Sequence, residues 1–441
     1  MEHREMGALR QVIVGAAVAV GTAVAGVSMV RSMERPGRVT ARAAPSEAEI
    51  GNQDIAFFRA RVVRDPLSAR DFAQLGRLNL QRARETGDNA DLVQAETNAR
   101  HSLALRDARN SEAFGVLASS LLSQHRFAEA LEVSRRLLAD DTTSVAARGL
   151  LGENLFELGR YEEAGTVLGT LAMYRNDPGI APRLARWAEL TGKPEEARRL
   201  MREAADEAER RHGMPKEQLA WFHLRLGDLA FRYGHLGEAK RELEAGLAIE
   251  PRDARLLAAR ARLYAVRGEW QAAADVGEQA IATTLDPATL GLLHDASRVL
   301  GDSTKAAEYY RAMALAVLRQ PGPFHRAWSL FLLDHDREVP TVLAKVREEL
   351  KSRQDIYGYD MLAWALHRSG RDGEARAPMQ RALALGTRDA MLFHHAGMIE
   401  RSLGHDDAAR RYLEAALSTN PYWDPFHPAE ARAVLDSLAH R

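Results

Sequence analysis

The sequence predicts an all-α fold, a solenoid of paired helices, and two observations carry that prediction. The first is the stretch from Ala220 to Asp253, AWFHLRLGDLAFRYGHLGEAKRELEAGLAIEPRD. Counted from Ala220, it sets Leu226 and Gly227 at places seven and eight, Gly234 at fifteen, Ala239 at twenty, Gly246 and Leu247 at twenty-seven and twenty-eight, and Pro251 at thirty-two. Small residues at places eight and twenty let two antiparallel helices approach closely, Gly234 supplies the φ > 0 residue that stops the first, and Pro251 cannot continue the second. The second observation is recurrence. The residue at place twenty returns as Ala95, Ala130, Ala164, Ala197, Ala239, Ala273, Ala307, Thr341, Ala375 and Ala408, with gaps of 35, 34, 33, 42, 34, 34, 34, 34 and 33. Alanines scattered at random do not hold such a register, so ten units follow from it.

Ahead of the units, Val12 to Val30 is an uncharged run bracketed by Arg10 and Arg31. As a helix it reaches roughly 28 Å, just enough to cross a bilayer. Its Val, Ala and Gly make it weakly hydrophobic for its length, so three readings stand: a retained transmembrane anchor, a signal peptide cleaved near Ala23-Val24-Ala25 or Ala41-Arg42-Ala43, and a buried helix. Arg31, Arg35, Arg38 and Arg42 follow the run while only Arg4 and Arg10 precede it, which favours a cytoplasmic C-terminal part, whereas the position at the extreme N-terminus suits export. The domain division expected is residues 1–45 as anchor or signal plus tether, and residues 46–441 as the solenoid. The place is a bacterial cell envelope, on a side of the membrane left open.

Ser46 with Glu49 reads as a capping box, and the segment through Phe57 and Phe58 to Asp65-Pro66 reads as a second helix without its first, a lid for the array. Two irregularities interrupt the spacing: RETGDNAD, Arg84 to Asp91, between the helices of the first unit, and about eight extra residues around Arg211 to Pro215. Both read as longer turns. The eighth unit, Phe324 to Lys351, is the least typical, with Thr341 after Pro340. Past the tenth, Asn420-Pro421 ends a helix, and Pro428 to Arg441 forms a last amphipathic one, with Ala431, Val434, Leu435 and Leu438 on one side to cover the exposed end.

The place-eight, place-twenty and place-thirty-two pattern resembles the tetratricopeptide repeat, and the resemblance covers essentially residues 54 to 440. Runs such as DIYGYDMLAWALHRSGR and ALSTNPYWDPFHPAEARAVLDSL are similar to bacterial members of that family with a leading hydrophobic segment. The resemblance implies a right-handed superhelix whose first helices line a concave groove through places two, five, nine and twelve. On that basis the partner-binding candidates are Trp221, Leu224, Asp228 and Phe231 in the fifth unit, Leu330 and Leu333 in the eighth, Tyr357, Asp360, Trp364 and His367 in the ninth, and Phe393 in the tenth. Arg186 and Glu189 add charge in the fourth unit and Arg255 and Arg262 in the sixth, as do Arg70 and Arg77 in the first and Glu153 in the third. Aromatic side chains suit peptide or helix capture, because they offer large contact area at little entropic cost. The Lys and Asn of a chaperone-tail clamp are not in place.

The remaining composition narrows the classes. The formal charge is −1, from 60 basic and 61 acidic residues, which gives no global attraction for nucleic acid. No cysteine is present, so disulfides, thiol nucleophiles and Cys-zinc sites drop out. There is no HExxH, no P-loop and no GxSxG elbow. His394, His395, His405 and His427 form the densest histidine cluster, but neighbours on a helix point about 100° apart, so surface or groove histidines are expected rather than metal ligands. The expectation is a non-catalytic scaffold without cofactor or metal, binding a protein or peptide in its groove, tethered to or exported across a membrane. Self-assembly into a homo-oligomer and an enzyme with an undetected site are the alternatives.

Overall fold

The structure, a computed structural model, describes residues 47–319 and 326–440. The apolar run Val12 to Val30, the tether after it and Ser46 lie outside the described residues, as do the first residues of the eighth unit. By contacts the chain divides into Met1–Pro45 and Ser46–Arg441, and the described residues all belong to the second unit.

Among the described residues there are twenty-two α-helices and no strand. The single helix α1 (Glu47–Arg64) precedes ten pairs: α2 (Ala69–Thr86) with α3 (Asn89–Leu105), α4 (Ser111–Ser123) with α5 (Phe127–Asp140), α6 (Val145–Glu157) with α7 (Tyr161–Gly169), α8 (Ala181–Leu190) with α9 (Pro194–Arg210), and α10 (Lys216–Arg232) with α11 (Leu236–Ile249). The array continues with α12 (Ala254–Ala265) and α13 (Trp270–Ile281), α14 (Pro287–Val299) and α15 (Ser303–Arg319), α16 (Arg326–Asp334) and α17 (Val339–Glu349), α18 (Ile356–Arg368) and α19 (Asp372–Leu383), and α20 (Ala390–Ser402) and α21 (Asp406–Thr419). The last helix is α22 (His427–Ala439), which buries Pro428, Ala431 and Leu438. The all-α fold, the ten pairs and both end helices are as expected.

The fifth pair shows why the pattern works. Ala239 is fully buried, a Cβ on Gly227 would sit 2.9 Å from Leu243, and one on Gly246 would sit 2.8 Å from Leu256. Gly234 takes φ +75°, and the amide of His235 donates to the carbonyl of Ala230 at 2.9 Å, so the first helix closes in a Schellman turn. First helices of other pairs begin on Ser or Asp caps such as Ser144, Asp253, Asp286 and Asp355, whose side chains accept amide hydrogens of the first turn.

Three register positions need correcting. The buried residues are Ala306, Val342 and Ala409, not Ala307, Thr341 and Ala408. In each case the buried side chain lies four residues after the residue that opens the second helix, and in the eighth pair the opening residue Glu338 is itself left-handed at φ +48°, which shifts the count by one. The two irregular spacings are not longer turns either. Only Gly87 and Asp88 separate α2 from α3, and α9 and α10 both run to seventeen residues with five between them. Adding helical turns leaves every new backbone group paired inside its own helix, which a long loop does not achieve.

The larger difference is that the array does not contact only its neighbours. The amide of Gln354 donates to the carbonyl of Leu158 at 3.2 Å, the amide of Ile356 to the Tyr161 hydroxyl at 2.8 Å, the Thr387 hydroxyl to the carbonyl of Leu190, Asn420 Nδ2 to the carbonyl of Phe231 at 2.9 Å, and the Thr284 hydroxyl to the carbonyl of Thr86 at 3.2 Å. Each of these joins the turn inside one pair to the connection leaving the pair five places later. One continuous apolar cluster runs through Phe127, Leu155 and Leu190 and through Phe331, Met361 and Leu392. Successive turns of the superhelix therefore share a core along a seam, and the groove between them is shut.

Gly159 tests that closure. A Cβ there would lie 2.2 Å from the carbonyl oxygen of Gln354, at φ +80°, whereas Gly370, at φ +71°, has nothing within 4 Å. Gly370→Ala should cost only the left-handed strain of about 1–2 kcal/mol. Gly159→Ala should cost at least about 2 kcal/mol more, because backbone must part across the seam. Urea denaturation measures both, and equal losses would mean that the seam is open in solution.

Candidate peptide-binding lumen

Closing the seam leaves a half-open cavity of about 560 Å³. Its wall comes from the ends of α6, α8 and α10, from α12, α14, α16 and α18, and from the segment Asn420 to His427 that leads into α22. That last segment is fixed by Trp270, whose ring stacks on Phe426 with centroids 5.5 Å apart.

Arginine dominates one side. Glu189, 3% exposed, accepts from Arg186 at 2.6 Å and from Arg232 at 2.5 Å. Burial alone would raise its pKa; Arg232, Arg186 and the nearby Arg225 outweigh burial and hold it down at about 2. The Tyr357 ring lies between two guanidinium groups, Arg326 at 4.3 Å and Arg186 at 5.5 Å. Burial pushes the Tyr357 hydroxyl up, so it stays a neutral donor. Arg262 covers Phe231 at 4.4 Å and donates to Asp228 at 2.7 Å. Arg326 is 3.6 Å from Asp360, but its Nε and Nη2 are buried with no hydrogen-bond acceptor.

The seam supplies an acidic counterpart. Arg353 donates to Glu157 at 3.0 Å and to Asp355 at 2.7 Å, and reaches Glu349 at 3.6 Å. Burial, opposed by Arg353, raises Glu349 to about 7. Such a carboxyl is half neutral near neutral pH.

Of the residues expected to face a partner, the cavity gathers Arg186, Phe231, Arg262, Leu330 and Tyr357. The others are placed elsewhere. Trp364 is 1% exposed: it stacks on His395 at 4.1 Å and donates Nε1 to Asp334 at 2.9 Å, so it supports the wall from behind. Asp360 is fully buried and accepts from His395 Nδ1 at 2.7 Å, while His367 stacks on Trp364 and pairs with Asp372. Leu224 and Leu333 are core residues, Trp221 is half-buried against Phe222, and Phe393 is half-buried on α20. Asp228 is taken up by Arg262 and Arg225, and Arg255 by Asp253 and Glu217. His394 and His395, on α20, are both buried against α18 and the terminal segment, whereas a surface or groove position was expected for them. Sequence reasoning missed Arg232, Arg326, Asp334 and Trp423; all stand at helix ends or connections, where places counted on an ideal helix do not apply.

Fold and cavity together define a helix-pair repeat protein wound around a half-open lumen. Tetratricopeptide repeat models match residues 121–186, 224–288 and 392–422, so the chain carries tetratricopeptide repeats. No curated protein sequence matches it. Among solved structures it is similar to PilF of Pseudomonas aeruginosa, at 20% identity over 60% of this chain and 97% of that one, with a TM-score of 0.31. It is also similar to a chain of the APC/C hetero-tetramer Cut9–Hcn1, at 12% identity over 89% of this chain and 94% of that one, with a TM-score of 0.34. Scores this low carry no argument about partners.

Glu189 gives a signed pH dependence. Its folded pKa is depressed to about 2, so its stabilisation is full above the unfolded value of about 4.3 and disappears as pH falls through 2. The shift corresponds to roughly 3 kcal/mol. Wild-type protein should exceed Glu189→Gln by about that amount at pH 6, and the margin should shrink steadily from pH 4.5 to pH 2 in urea titrations.

Proposed function

We propose that this interaction scaffold holds a short acidic segment of another protein in its lumen, with the Val12 to Val30 run tethering it to a membrane or exporting it. One observation carries the reading: Arg186 and Arg232 both converge on the single carboxylate of Glu189, and Arg326 beside Tyr357 keeps two buried donors without a hydrogen-bond acceptor. A carboxylate of the bound segment would take up Arg326, whose side chain is about one-third exposed. A cavity of about 560 Å³ takes in only a short stretch of a partner chain.

The test uses labelled decamers of poly-glutamate and poly-lysine and fluorescence anisotropy. Poly-glutamate should bind, more weakly as salt rises, and Arg326→Gln should weaken it by at least about tenfold, a loss of about 1.4 kcal/mol. Arg135→Gln, at an exposed position on α5, should leave binding unchanged. Equal binding of both peptides, or insensitivity to Arg326→Gln, overturns the reading. Separately, the full chain should sediment with membranes after alkaline washing if the apolar run is retained, and should lose its N-terminus if it is cleaved.

A further inference from the structure

At the lumen wall, α14 and α16 bring together three groups that the peptide reading does not use. His294 and Asp295 are consecutive on α14, and His335 directly follows α16. One ring nitrogen from each histidine and an oxygen of Asp295 all lie within 4.8 Å of one another. Phe331 sets both rings, stacking on His335 with centroids 4.1 Å apart and meeting His294 edge-on at 5.1 Å.

The hydrogen bonds decide which nitrogen each ring offers. Nδ1 of His294 is 2.8 Å from the carbonyl oxygen of Ala306, and Nδ1 of His335 is 2.8 Å from that of Phe331. A carbonyl oxygen only accepts, so both Nδ1 atoms carry hydrogen, and in the neutral rings both Nε2 atoms present lone pairs. A backbone carbonyl fixes the tautomer of a ligating histidine in the same way. His335 Nε2 then faces Asp295 Oδ1 at 2.8 Å, acceptor against acceptor unless something positive lies between. A proton on His335 would answer for that pair. It would leave His294 Nε2 unexplained, since the residue is 4% exposed and that atom has no hydrogen-bond partner.

We propose that His294, Asp295 and His335 bind one divalent transition-metal ion, with zinc the best match. Two imidazole nitrogens and one carboxylate oxygen suit zinc, whereas magnesium and calcium take oxygen donors throughout. Asp295 lines the lumen, so the ion is reached from that side, and a water or a ligand oxygen completes its coordination. The site ties consecutive first helices of the seventh and eighth pairs to each other. It stands independently of the peptide reading.

The test is zinc titration of the untagged full chain, stripped with chelator, by isothermal calorimetry, with cobalt substitution read by visible absorption. One zinc per chain should bind and raise the melting temperature, and His294→Gln should weaken binding by at least about tenfold. Should His294→Gln fail to fold, Asp295→Asn carries the same expectation, its side chain being partly exposed. His427→Gln, in the separate histidine cluster near α22, should leave binding intact. No saturable zinc uptake, uptake indifferent to Asp295→Asn, or uptake abolished by His427→Gln each overturns the assignment.

Discussion

Backbone touching backbone across the seam is the constraint on which the rest depends. Gly159 and Gly192 both take positive φ, and a Cβ on either would fall within 2.3 Å of a carbonyl oxygen from the opposing connection, that of Gln354 or of Gly386. Glycine at these places does two separate things: it ends a helix in a left-handed turn, and it leaves room for a chain almost two hundred residues away. The first role is common to most pairs. The second exists only where two superhelical turns meet, as at Gly234 against Pro421, and is absent at Gly268 or Gly370, whose surroundings are open.

Closure changes the energetics of a repeat array. A solenoid with nearest-neighbour contacts alone is a sum of repeat and interface terms that can fray from either end. Here the apolar cluster joins the second, third and fourth pairs to the seventh through tenth, so opening one end also exposes surface on pairs far along the chain. Charged groups are caught in the same junction: Arg353 reaches back to Glu157, and Tyr357 is held between Arg326 of an adjacent pair and Arg186 of an earlier turn. Buried ion pairs contribute little net stability, yet a mispaired one is costly, so the network favours one register of turn on turn over its neighbours.

The repeat is legible from the sequence because its cause is local. Whether Ala239 can sit between two helices depends on side chains within the same thirty-four residues, and the same holds for the Gly234 turn and the Ser and Asp caps. A count that runs from unit to unit lands one residue off at Ala307, Thr341 and Ala408, because the physical origin is the residue that opens each second helix. The lumen is only partly legible. Arg186, Phe231, Arg262, Leu330 and Tyr357 follow from helix geometry, but Trp364 and Asp360 obey the same spacing and are buried by α20 and the terminal segment. An amphipathic pattern does not distinguish two apolar faces. Nothing in the spacing announces that Asn420 will meet Phe231, since that depends on the summed rotation of five pairs.

The same summation explains why His294 and His335 do not stand out in the sequence while His394 and His395 do. Density along the chain is a poor guide on a solenoid, because residues about one repeat apart on first helices are closer in space than neighbours whose rings diverge. His335 lies one pair beyond Asp295, a separation of forty residues that matches no metal motif, yet the carbonyls of Ala306 and Phe331 orient the two rings toward one carboxylate. His394 and His395, adjacent in sequence, point to different tasks: one packs against Trp423 and His427, the other bonds Asp360 beneath Trp364. In an array of this kind, chemistry is best sought one repeat apart, where the fold brings side chains together.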